Sequence, residues 1–200
     1  MFEFILASIV IELTPGPNMT WLAVLGATRG RMAALSAVAG ICLGLGFAGL
    51  IAGVGLAFIF ETYPTLLTLL RWAGTLYLFY LAYDAWQDSG KSEKLEAKSN
   101  AAYFTQGLIS NALNPKAYLF YAAILPQFLI PTGNAPQQIA ILTAVYVAIA
   151  TIIHASIALL AGSLANWLKH SPHAENVRRG LAIAIGVAAV WFFISTGHLK

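Results

Sequence analysis

AYLFYAAILPQFLIPTGNAPQQIAILTAVYVAIATIIHASIALLAGSLANWL, residues 117–168, is a run of 52 positions without Asp, Glu, Lys or Arg. One helix crossing a bilayer needs about 20 largely apolar residues. The run therefore holds more than one crossing, divided at the turn Pro131-Thr132-Gly133-Asn134-Ala135-Pro136. Residues 32–60 are free of the same four residue types. Over all 200 residues, charged side chains make up 10%, against about 25% in an average soluble protein. That is too little polar surface to cover a soluble core. The pattern predicts an all-α, polytopic membrane protein in contact with the lipid bilayer.

Other classes are excluded by what the chain lacks. The single cysteine, Cys42, lies in an apolar run. A disulfide framework, a thiolate zinc site and paired-thiol redox chemistry are thereby removed. The net charge of +3 is spread through short loops, whereas a nucleic-acid partner would require Lys and Arg clustered on one face. The N-terminal stretch MFEFILASIVIELTPGP has neither a basic leader nor a small-x-small cleavage site before Thr14. It reads as a retained first span.

Six spans are predicted: about 2–27, 33–60, 65–86, 103–130, 139–168 and 180–196. The polar stretch between the third and fourth carries Lys91, Glu93, Lys94, Glu96 and Lys98, and reads as a solvated linker over about 87–102. The chain thus divides into one repeat over about 1–86 and another over about 103–197 of a single membrane domain. Pro15 and Pro115 lie 100 residues apart, each inside the first span of its half. At the same offset Ile9 matches Ile109, Leu13 matches Leu113, and Thr14 matches Asn114. Because three is odd, the second half enters the membrane upside down. The expected architecture is two inverted three-helix repeats, the first helix of each broken at proline, as in many secondary transporters. With the N-terminus outside, inner loops hold Arg29, Arg31, Lys91, Lys94, Lys98, Lys169, Arg178 and Arg179, eight of the eleven Lys and Arg. The positive-inside rule then predicts both termini outside.

The two broken spans carry the chemistry. Thr14-Pro15-Gly16-Pro17 sets two prolines and a glycine in four residues, and proline removes a helical hydrogen bond. Freed backbone groups in hydrocarbon cost several kcal/mol each, so such a break needs protein or a wet cavity around it. A half-helix starting at Asn18 would aim unpaired N–H groups into that cavity and attract a carboxylate. The plainer reading is a proline kink repaired by Thr14 or Asn114. Two kinks at matching positions of inverted halves favour the site. Glu12 and Lys116 flank the breaks, Glu12 roughly 15 Å deep at the helical rise. Lys116 reads as a carboxylate partner, Glu12 as an amine or proton site; a structural ion pair, or a snorkelling Lys116, is the alternative. His154 lies mid-span on one arc with Thr143 and Thr151, either a packed hydrogen-bonding residue or a second proton-coupling candidate. No second His or carboxylate at i+3 or i+4 makes it a metal ligand, and no cofactor motif is present. Ser36, Gly40, Gly44, Ala48 and Ala52, with Gly49, Gly53 and Ala57, form small-residue rows for close helix packing. Arg71, Glu61 and Asp84 read as interfacial.

LTPGPN at 13–18 and ISNALNPKAYLFYAAILPQF at 109–128 resemble the lysine-exporter (LysE/RhtB) family of bacterial amino-acid exporters. RWAGTLYLFYLAYDAW at 71–86, VRRGLAIAIGV at 177–187 and Arg29-Gly30-Arg31 resemble it too. The resemblance covers essentially the whole chain. It implies export of amino acids or close derivatives across a bacterial inner membrane, driven by the proton motive force. The motif positions are Thr14, Pro15, Gly16, Pro17, Asn18, Asn114, Pro115, Lys116 and Ala117, and Glu12 is not among them. The expected partners are an amino acid and protons; the exported amino acid and a homo-oligomeric state stay open. Three other readings compete. A membrane enzyme would need convergent catalytic groups. A small-ion or metal permease would need more His and carboxylates. A non-transporting scaffold would need larger loops.

Overall fold

A computed structural model describes residues 1–53, 55–63, 65–89 and 99–196. Helices form wherever the apolar runs are uninterrupted, and they stop where proline or glycine intervenes. α1 (Phe2–Leu13) ends at Thr14, whose backbone is extended at φ −63°, ψ 117°, the conformation that a following proline enforces. α2 (Pro17–Arg29) opens with proline as its first helical residue, directly after Gly16. Proline is suited to that position because the N–H it lacks would have been unpaired there. Gly30, at φ +90°, turns the chain into α3 (Arg31–Ala52).

α3 is shorter than the span expected over 33–60. It ends at Ala52, Gly55 takes φ +98°, and a separate α4 (Leu56–Thr62) follows. Gly53, read as part of a packing row, instead closes α3, and the left-handed turn at Gly55 is one that residues with a Cβ rarely adopt. α5 (Thr65–Ser89) is continuous. α6 (Asn100–Ala112) is capped by Ser99, whose hydroxyl accepts from the Ala102 N–H at 3.2 Å. The two ends of the expected linker are therefore helical, whereas its charged middle, Lys91 to Lys98, lies outside the described residues, as does Lys200.

The fourth span departs furthest from a regular helix. α7 (Pro115–Leu119) gives way to a π-helical turn at Phe120–Ile124 and a 3₁₀ turn at Leu125–Phe128. Pro126 lacks the N–H that an α-helix would need, and the tighter turn accommodates it. α8 (Ala135–Ser163) starts at Asn134, which caps the Gln137 N–H at 3.1 Å. α9 (Ala165–His170) and α10 (Ala174–Ser195) complete the chain.

Among the described residues, four stretches are long and apolar enough to cross a membrane unbroken: Arg31–Ala52, Thr65–Gln87, Ala135–Leu168 and Ala174–Ser195. The first and fourth expected spans fall short because their breaks divide them. α3 is central, packed along α6 on one side and α8 on the other, while α5 pairs with α10 and α2 lies against α8 and α10. Small residues bring these backbones together. A Cβ on Gly40 would collide with the Phe104 carbonyl, and one on Gly107 with the Ala37 carbonyl. Gly40 and Gly44 of the first row pack against Phe104 and Asn111 of α6, and Gly49 of the second row packs against Thr143 of α8.

Candidate functional site

The two breaks meet. The Lys116 ammonium, one residue past Pro115, donates to the Thr14 carbonyl at 3.1 Å. It thereby closes the C-terminal end of α1, where unpaired carbonyls favour a cation. Glu12 sits two residues before Thr14 and is only 4% exposed. Its carboxylate does not pair with Lys116. The Tyr146 hydroxyl donates to Oε1 at 2.5 Å, and His154 Nε2 lies 3.4 Å from Oε2. Tyr146 and His154 stand eight residues apart on α8, with Ala150 and Ala158 completing a fully buried stripe. The two alanines let α8 run close to α1 and α2. Tyr146 is further fixed by Phe120, whose ring stacks on it at 3.7 Å between centroids.

The first half-helix of the pair holds its polar end differently from the second. Gly16 has no side chain to cap α2, and the first intrahelical bond runs from the Thr20 N–H to the Gly16 carbonyl at 3.2 Å. The Asn18 and Met19 N–H groups precede that bond and have no helical partner. At α7, by contrast, the Asn114 side chain takes the Lys116 N–H at 3.1 Å, and the Ala117 N–H bonds the Asn114 carbonyl at 3.2 Å. The open helix end expected after the first break is present at α2, which starts one residue earlier at Pro17, whereas the end of α7 is closed by Asn114. An asparagine can reach back to its own helix, and a glycine cannot.

A small cavity collects these groups. Glu12, Gly16, Asn18, Asn114, Lys116 and His154 line it, together with Tyr146, Asn111, Met19, Leu45 and Ala117. It leaves about 20 Å³ for the centre of a water-sized molecule, on the order of one water. The Asn18 amide oxygen accepts from Ser110 at 2.7 Å. Asn111 Nδ2 and His154 Nδ1 are buried without a protein partner. One carboxylate, one ammonium and several amide and imidazole groups therefore face each other inside an apolar bundle. Such a constellation can hold a small zwitterion or pass a proton, and its polarity is out of place in a merely packed core.

Most of the residues read from sequence converge here. Thr14 and Pro15 contribute backbone rather than side chain: both are exposed, and the Thr14 hydroxyl bonds the Val10 carbonyl at 2.9 Å. Pro17 and Pro115 are buried as first helical residues. Thr143 and Thr151, expected beside His154, face α3 instead, Thr151 against Cys42 Sγ at 2.8 Å. Arg71, read as interfacial, is half-buried: its Nε is buried and its guanidinium lies 3.9 Å over the Phe193 ring near the end of α10. Tyr146 and Asn111 were not singled out by sequence. Their signal was weak, a tyrosine two helical turns before His154 and an asparagine one turn before the break.

The sequence model of the LysE type translocators matches residues 9–196. The chain belongs to that family. It is accordingly a membrane transporter and not an enzyme. Among its relatives is a homoserine/homoserine lactone efflux protein of Salmonella typhimurium, 29% identical over 171 residues, covering 84% of this chain and 83% of the relative. The uncharacterized membrane protein YrhP of Bacillus subtilis is 28% identical over 210 residues, 98% of each chain. An uncharacterized membrane protein of Vibrio cholerae is 27% identical over 169 residues, covering 83% of this translocator and 82% of the relative. No solved structure matches. Among the described residues of the translocator, no three His, Cys, Asp or Glu side chains are grouped to hold a metal ion.

Proposed function

We propose that this translocator exports amino acids or close derivatives from the cytoplasm across a bacterial inner membrane, in exchange for protons. The observation that carries the proposal is the shared cavity in which Glu12 and Lys116 face one another without pairing. The substrate carboxylate binds between Lys116 and the open N–H groups of Asn18 and Met19, where charge-assisted bonds and the α2 dipole act together. The substrate amine turns to Glu12. Thr14, Pro15, Gly16 and Pro17 hold the break open, and Asn114 and Pro115 set the direction of Lys116. Glu12, with His154 and Tyr146 at its two oxygens, is the proton-coupling group. The efflux activity named for the Salmonella relative supports the substrate class.

The cavity as it stands takes a water and not an amino acid, so transport requires the half-helices to part. Two inverted repeats, residues about 1–86 and 103–197, give the means, with α1–α2 equivalent to α6–α7, α3–α4 to α8–α9, and α5 to α10. Exchange of the halves turns the α3–α6 packing into that of α8 with α1, which supports the repeat, whereas the α2–α3 packing has no comparable counterpart between α7 and α8. Rocking of one half against the other would expose the site alternately. Both termini lie outside in this scheme; a reporter fused after Lys200 and active only in the cytoplasm would refute that.

Lys116→Met tests the site. It keeps length and removes charge. The expected result is a protein present in the membrane at near-normal amount with no export of any amino acid, measured in everted vesicles. Normal export by that variant defeats the carboxylate role.

A further inference from the structure

Beyond the small cavity, on the other side of Lys116, a groove of about 400 Å³ opens between the first break, α7 with its π turn, and the C-terminal end of α10. We propose that this groove receives the substrate's side chain, and that the translocator selects amino acids with apolar side chains. The inference rests on the carboxylate site proposed above and adds the substrate class to it. The volume is within the usual range for small-molecule pockets, about 300–1,000 Å³. Ile11, Leu119, Ile124, Trp191 and Phe192 supply its walls. Among the described residues lining it, Lys116 alone is charged, and no acidic side chain is present.

The groove's hydroxyl groups are already engaged. Thr14 donates to the Val10 carbonyl at 2.9 Å, Ser195 to the Phe192 carbonyl at 3.1 Å, and Thr196 to the same carbonyl at 2.6 Å. A polar side chain would have to leave water for a surface that offers it little in return, which costs free energy. An apolar one gains by burial. Gly16 and Lys116 line both spaces. A zwitterion whose head is at that shared wall therefore projects its side chain into the groove. A lipid chain is the competing occupant. It would bring hydrocarbon against the Lys116 ammonium, which an intramembrane charge does not tolerate cheaply, whereas an amino acid brings a carboxylate.

Everted vesicles carrying the full chain, supplied with labelled leucine, phenylalanine, alanine or homoserine, provide the test. Leucine and phenylalanine are expected to be transported with a lower half-saturating concentration than alanine or homoserine. Ala123, on the groove wall, is the place to fill it. Ala123→Phe should reduce the leucine-to-alanine transport ratio about tenfold or more, the usual scale for lost space in an apolar pocket. Trp191→Ala, which enlarges the groove, should raise the phenylalanine-to-leucine ratio and serves if Ala123→Phe does not reach the membrane. Unchanged ratios in both variants assign the groove to lipid and overturn the inference. Equal loss of alanine and leucine by a folded Ala123→Phe protein assigns it to helix motion and overturns it equally, and so does wild-type preference for homoserine. Failure here with transport still abolished by Lys116→Met leaves the exporter reading standing. Transport indifferent to Lys116→Met would instead remove the carboxylate site on which the inference rests.

Discussion

The two proline breaks occupy the same place in their halves and solve the same problem in different ways. At the first, Gly16 leaves the start of α2 uncapped, and a regular 13-residue helix follows. At the second, Asn114 caps α7, and only five residues of α-helix follow before the π turn. The first break keeps its backbone donors available and its helix straight. The second consumes its donors internally and contributes a side-chain cation instead. The wall of the small cavity is thus made from backbone on one side and the Lys116 side chain on the other. The residue before the helical proline, Gly16 at one break and Asn114 at the other, decides which donors stay open.

The largest effect that bears on this difference is expected from the glycines that hold the broken spans in place. Gly107 brings α6 against the Ala37 backbone, and its Cβ would overlap a carbonyl that cannot move aside. Gly26, on α2, has its nearest neighbour, the Ala158 carbonyl, at 3.0 Å. Gly107→Val should abolish accumulation of folded protein, and Gly26→Ala should only reduce it, read by fluorescence-detected size-exclusion of detergent extracts. Equal accumulation of the two variants would show that both breaks are held alike.

Next in size is Glu12→Gln. The amide can still accept from Tyr146 but no longer carries charge. A hydrogen bond to a charged group is worth about 1.5–3 kcal/mol, so export should fall about tenfold to hundredfold. Thermal stability in detergent should change little. A variant that exports normally but melts early would make Glu12 a structural residue.

The caps themselves should give smaller and opposite results. Asn114→Ala removes the α7 cap and should cost about 1 kcal/mol of stability, with Asn114→Asp restoring it. Gly16→Ser introduces a cap at α2, where Gly16 has φ −143° and the nearest atoms to a new Cβ stand at 3.9 Å. Stability should rise by a few tenths of a kcal/mol, while substrate affinity falls because the serine hydroxyl competes for the same N–H groups. A Gly16→Ser protein with both higher stability and unaltered affinity would separate the α2 end from substrate binding.

Much of this organisation was legible in the residues. The charge-free runs pointed to the membrane class, and the prolines to two breaks flanked by Glu12 and Lys116; the contact of His154 with Glu12 depends on how α8 packs against α1 and was not legible. Other features were hidden for physical reasons. Gly53 continues the small-residue spacing of α3, so the stop there depends on the left-handed angle of Gly55, which composition does not report. Leu119 to Phe128 is as apolar as any helix, and the π and 3₁₀ turns there follow from Pro126 and from packing against Tyr146. Tyr146 itself looks like another aromatic residue in an apolar run until Glu12 is seen beside its hydroxyl. Arg71 was assigned to the interface by its distance from the span end, although its partner, Phe193, lies at the far end of the sequence.

α8 has 29 residues, about 44 Å at the helical rise, whereas the hydrocarbon core is about 30 Å thick. The helix that carries Tyr146 and His154 must therefore tilt or project from the bilayer, while α10, with 22 residues, matches it closely. A thinner membrane would lean α8 further and move both side chains relative to Glu12 on α1. The geometry of the buried carboxylate is in this way tied to bilayer thickness, and acyl-chain length becomes a mechanical input to the rate of transport.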